Sequence, residues 1–208
     1  MPTLGYRILA LGDSYTIGQG VSEEARWPAQ LARILEEDAG LSVQVDYQAR
    51  TGWTTGNLWD SLQILPPQGT YDLVTLLIGV NNQFQGLDFA LYQREFALLL
   101  EFAIKVAGGD SSRVKVLSIP DYSYTPYGNR FSLSQQERIS REIDAYNTEA
   151  REISNIREVG FLDITPLSRQ GLEDPSLVAE DGLHLSQKTY GLFAHRVVQD
   201  ILCRIEEN

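Results

Sequence analysis

Ser14, Asp181 and His184 are of the types, and have the surroundings, for acyl transfer in this chain of 208 residues. A serine attacks an acyl carbon when a base takes its proton, a second group orients that base, and donors receive the oxyanion. The chain holds two histidines. His184 stands in a loop, three residues after a carboxylate, in Asp181-Gly182-Leu183-His184. A turn of that length can fold Asp181 back onto imidazole Nδ1, which fixes the tautomer and leaves Nε2 free for a hydroxyl. His195 falls on the last helical stretch, off its apolar stripe, and reads as a solvated surface histidine. Ser14 follows Gly12 and Asp13 directly after the uncharged run Ile8 to Leu11. Adjacent side chains on a tight turn diverge, so Asp13 suits bracing the turn better than partnering His184. For the oxyanion, the Ser14 N–H, the Gly52 N–H and the Asn81 side-chain amide are available. Each of these residues taken singly is ordinary at the end of a strand or in a turn; their joint fit to one reaction is what points to acyl transfer.

Alternating short apolar runs and longer amphipathic ones supply the elements that would position these groups. Strands are expected at Leu4 to Leu11, Ser42 to Tyr47, Asp72 to Ile78, Val114 to Ile119 and Val159 to Ile164. The third is apolar almost throughout, as a central strand covered on both faces must be; the second alternates, as an edge strand does. Helices are expected after Pro28, after Thr55 with Leu58, Leu62 and Leu65 on one face, and from Leu87 to Ala107. A fourth is expected after a Ser134/Glu137 capping box, carrying Ile139, Ile143, Tyr146, Ala150 and Ile153, and a last one over Ser186 to Ile205. Strict alternation implies an α/β fold with a parallel sheet between helices, and 2-1-3-4-5 is the natural order for five strands. Ligands in such sheets bind beyond the carboxyl ends of the strands, where every polar or glycine-rich segment named above falls.

The length fits a single domain, residues 1–208, with a core of its own. Seventeen basic against twenty-eight acidic residues give a net charge of −11, which argues against nucleic acid and anionic membrane surfaces as partners. Cys203 is the only cysteine, so no intrachain disulfide exists, and it reads as a structural or surface thiol. No apolar run approaches a membrane span, and the first apolar run is already a strand, so a cytoplasmic location is expected.

Gly12-Asp13-Ser14-Tyr15-Thr16, Gly52, Gly79-Val80-Asn81 and Asp181-Gly182-Leu183-His184 resemble, in order, the four motif blocks of the SGNH (GDSL-type) hydrolases. The resemblance implies a three-layer, flavodoxin-like fold and hydrolysis of an ester or thioester without a cofactor or metal. It implies Ser14 as nucleophile, Asp181 and His184 as its partners, and an oxyanion hole from the Ser14 N–H, the Gly52 N–H and Asn81. The third block usually reads Gly-x-Asn-Asp; here Asn82 takes the place of the aspartate, so the carboxylate that braces this loop is missing. Trp53 and Phe84 flank the proposed donors, and Tyr122, Tyr124, Tyr127 and Phe131 crowd the loop after the fourth strand, a lining suited to an acyl chain, an aryl ester or a sugar ring. A small-molecule ester is therefore the expected partner: a small or medium acyl ester, a lysophospholipid, an acetylated sugar or an acyl thioester. The competing reading is a flavodoxin-like domain whose loop Ser14-Tyr15-Thr16-Ile17-Gly18 binds a phosphate or flavin without hydrolysis, which leaves Asp181 and His184 without a task.

Overall fold

A computed structural model describes residues 5–206, with side chains as far as Ile201. Leu4, at the head of the expected first strand, and the Cys203 thiol lie outside the described residues. In chain order the elements are β1 (Gly5–Gly12), α1 (Ser14–Ile17), α2 (Trp27–Ala39), β2 (Ser42–Ala49), α3 (Thr55–Ile64), β3 (Leu73–Leu77) and α4 (Val80–Phe84). There follow α5 (Phe89–Val106), β4 (Val114–Leu117), α6 (Leu133–Ile156), β5 (Gly160–Leu162), α7 (Thr165–Ser168) and α8 (Gln187–Glu206).

The five strands form one sheet in the order β2-β1-β3-β4-β5, and every neighbouring pair is parallel. This is the expected α/β arrangement. β3 is buried along its whole length, while β2 closes an edge and leaves alternate residues partly exposed at its start. Helices α2 and α8 pack on each other, and α3, α5 and α6 form a second group. Right-handed crossovers that leave β1 toward opposite edges place these groups on opposite faces of the sheet. The apolar face of α6 is buried as its spacing requires, with Ile139, Ile143, Tyr146, Ala150 and Ile153 all in the core.

Three local expectations fail for identifiable reasons. Leu65 is 71% exposed, because α3 ends at Ile64 ahead of Pro66-Pro67 and its last apolar residue turns away from the core. The capping box of α6 uses Ser132 and Gln135, whose side chains each accept the other's backbone N–H; Ser134 lies inside the first turn. Both pairs satisfy the same spacing rule, and the extended backbone at Ser132 decides between them. Asn81, read as a loop residue, stands on the short helix α4, which Gly79 opens at φ 131°.

Candidate active site

Asp181 and His184 meet through their own turn. One Asp181 oxygen accepts the backbone N–H groups of Leu183 and His184, each at 2.9 Å, and the other lies 2.6 Å from His184 Nδ1. Partial burial works against the charged carboxylate, but the hydrogen bonds from Leu183 and His184 outweigh it and hold Asp181 below the usual carboxylate range. The imidazole is thus oriented by a charged acceptor, with Nε2 left for another group.

This turn is packed on the loop that follows β1. The ring of Tyr15, next to Ser14, lies 5.5 Å from the His184 ring, centroid to centroid. Gly20, at φ 87°, approaches so closely that a Cβ there would lie 3.0 Å from Ala179 and 3.4 Å from the Asp181 carboxylate. The glycine therefore lets the loop carrying Ser14 sit against the turn carrying His184. Ser14 opens α1 and is 4% exposed. Among the described residues its hydroxyl makes no hydrogen bond, neither to His184 nor elsewhere; the two are neighbours through Tyr15 rather than a bonded pair. A bond of this kind often closes only once substrate is bound.

Asp13 caps α1, accepting the Tyr15 N–H at 3.0 Å, which is the bracing role expected of it. It is completely buried, and its second oxygen has no partner among the described residues. Burial raises its carboxyl from 3.8 to about 7, despite the N–H bond from Tyr15. Tyr190, close enough to feel the Asp13 charge, is also fully buried, and burial first, then the Asp13 and Asp181 charges, push its phenol upward.

Of the three candidate oxyanion donors, Asn81 is tied to the loop that carries Gly52. Asn81 Nδ2 donates to the Trp53 carbonyl at 3.0 Å, which ties α4 to the loop carrying Gly52 and leaves the second amide hydrogen unspent. Neither the Ser14 N–H nor the Gly52 N–H has an acceptor among the described residues. Gly52 stands at φ 83°, with open space where a Cβ would lie. The phosphate-binding alternative fits poorly here, since the N-terminus of α1 is already occupied by the Asp13 carboxyl.

The residues expected to meet substrate separate. Phe84 and Tyr122 line a cavity of about 450 Å³ together with Tyr127, Phe131 and the polar Gln83 and Glu142. Phe84 is half exposed and meets Tyr122 edge-on at 5.6 Å. Tyr124 lines a different hollow, beside Leu133 and Leu172, and Trp53 packs against the core. The aromatic loop is anchored at its start and again at Tyr127. Asp121 receives Ser123, Ser140 and Arg169, and the Tyr127 N–H donates to the Gly182 carbonyl inside the histidine turn. Sequence reasoning passed over Gln83, which accepts from the Tyr122 hydroxyl and donates to Glu142. Its only signal was its place two residues after Asn81.

A hydroxyl, an oriented imidazole and three candidate donors on segments that follow the strands match the equipment of a serine-type acyl hydrolase on a flavodoxin-like sheet. Comparison with known proteins gives the same class. The family model of the GDSL-like lipase/acylhydrolase family matches residues 10–192. The chain belongs to that family and is an esterase/acylhydrolase of the SGNH/GDSL type. It is 24% identical over 196 residues to an arylesterase of Vibrio mimicus, covering 94% of this chain and 88% of that protein. Its fold is similar to that of a lipase/acylhydrolase from Enterococcus faecalis, with a TM-score of 0.66, 23% identity and 96% of each chain covered. It is also similar to an acetyl xylan esterase from Geobacillus stearothermophilus, with a TM-score of 0.67, 18% identity and coverage of 96% and 95%. No helix among the described residues is long and apolar enough to cross a membrane.

Proposed function

We propose that the chain hydrolyses small carboxylic esters through an acyl-enzyme on Ser14. His184 takes the proton from Ser14 Oγ as the oxygen attacks the acyl carbon, and the tetrahedral oxyanion is received by the Ser14 N–H, the Gly52 N–H and Asn81 Nδ2. His184 then gives the proton to the leaving alcohol. Water, deprotonated by the same imidazole, attacks the acyl carbon and frees the acid and Ser14. Asp181 holds the imidazole in the right tautomer and stabilises the imidazolium. The observation that carries this reading is the 2.6 Å contact of Asp181 with His184 Nδ1, in a turn packed against the Ser14 loop.

The cavity beside α4 supports a substrate with a short acyl group and a ring-bearing alcohol, aryl or sugar. Its aromatic walls suit a ring face, and Gln83 and Glu142 add polar contacts to the lining. The names of the Vibrio arylesterase and the Geobacillus acetyl xylan esterase agree with such substrates. The test is a panel of aryl acetates, acetylated sugars, long-chain acyl esters and acyl thioesters, with the Ser14→Ala protein as control. Short ring-bearing esters should turn over fastest and the control should be inactive. Turnover confined to long-chain thioesters would refute the substrate assignment.

A further inference from the structure

Asn82 and its surroundings carry a device that the motif comparison does not show. Asn82, next to Asn81, is fully buried, as is Thr55 at the start of α3. The Thr55 backbone N–H donates to Asn82 Oδ1 at 3.0 Å. A backbone N–H can only donate, so this bond fixes which end of the amide faces it. Asn82 Nδ2 is thereby turned toward Thr55 Oγ1, to which it donates at 2.6 Å. The Thr55 hydroxyl proton has to point elsewhere, and it goes to Glu95 Oε2 on α5 at 2.5 Å. Each direction in this chain follows from the one before it. Gly56 leaves the approach open: a Cβ there would lie 3.0 Å from Glu95 Oε1.

We propose that Glu95 is a positioning residue for the oxyanion hole, acting through Thr55 and Asn82 as the carboxylate that the third motif block lacks. The proposal rests on the reading of Gly52 and Asn81 as donors. Asn82 adjoins Asn81 on α4, and Thr55 follows the loop carrying Gly52 by two residues beyond Trp53, whose carbonyl Asn81 holds. The Asn82–Thr55 clasp and the Asn81–Trp53 bond therefore set the separation of those two donors. An aspartate at position 82 would offer only acceptors, and the single proton of Thr55 would be contested by two carboxylates. In this chain the amide and the glutamate act as a matched pair.

The test compares wild type, Asn82→Asp, Glu95→Gln and the double variant by ester kinetics and thermal unfolding. Asn82→Asp should lower kcat on the order of 10- to 100-fold with little change in KM, the scale of a misplaced catalytic group. Glu95→Gln exchanges the charge-assisted bond from Thr55 for a neutral one and should lower kcat by roughly three- to tenfold with KM little changed. Asn82→Asp/Glu95→Gln should regain most of the lost kcat, because Thr55 can then donate to the carboxylate at position 82. The melting temperatures should show the same rescue. A double variant no better than Asn82→Asp in either measurement, or an Asn82→Asp enzyme of wild-type kcat, overturns the proposal. If Asn82→Asp does not fold, Thr55→Ser should keep the activity that Thr55→Val loses, and equal activity of those two overturns it as well. The melting temperatures need no turnover: rescue of stability with no esterase activity in wild type would condemn the hydrolase reading and leave the brace standing.

Discussion

Asp181→Asn removes the charge that orients His184 while keeping the turn that carries it. Asparagine retains an oxygen for the N–H groups of Leu183 and His184, so the two 2.9 Å bonds survive. What changes is the 2.6 Å contact with His184 Nδ1. The amide nitrogen now presents a hydrogen there, so Nδ1 must become the acceptor and the ring proton moves to Nε2. Nε2 then donates toward Ser14 instead of accepting from it. The imidazolium also loses its counter-charge. A wrong tautomer of this kind costs about 10⁴ in kcat, or about 5 kcal/mol of transition-state stabilisation. The fold should hardly respond, whereas Asp181→Ala also strips an acceptor from two N–H groups and should lose about 1–3 kcal/mol of stability. Steady-state hydrolysis of an aryl acetate, with chemical denaturation of the same proteins, separates the two effects. An Asp181→Asn enzyme within tenfold of wild-type kcat would refute the reasoning, because the tautomer would then not depend on the carboxylate.

Two further perturbations follow from the same geometry. Asn81→Ala should lower kcat by about 10²–10³, the cost of one oxyanion donor, and a variant of normal kcat would remove Asn81 from the hole. Asp13 gives a pH signature. Its folded value of about 7 lies above the ordinary 3.8, so across that window the unfolded chain binds fewer protons and stability falls as pH rises. Above the window the full penalty is about 4 kcal/mol, at about 1.4 kcal/mol per pH unit. Asp13→Asn cannot ionise, so its stability relative to wild type should be about 3 kcal/mol greater at pH 8 than at pH 5 by chemical denaturation. An equal difference at the two pH values would show that Asp13 does not titrate between them.

How much of the molecule could be read from its residues depended on how local the governing interaction was. The strand order followed from periodicity and crossover handedness, since Ile8 to Leu11 and Leu73 to Leu77 are buried runs whose pattern admits little else. Asp181 and His184 were legible because their contact closes within a single turn. Asn82 was noticed as a departure, but its consequence was hidden. The compensating Glu95 sits thirteen residues further along on another helix, joined to it only through Thr55. The link from Gln83 to Glu142 spans fifty-nine residues and leaves no periodic trace. The choice of Ser132 over Ser134 turned on backbone angles, which the three-residue spacing shared by both pairs does not reveal.

The central claim is that Ser14 is the nucleophile and that His184 activates it. It is tested most directly by a fluorophosphonate probe followed by peptide mapping. The account predicts one adduct, on Ser14, formed rapidly by wild type and lost in His184→Ala while His195→Ala labels normally. An adduct on another residue, or folded wild-type protein that takes up no probe, would contradict it.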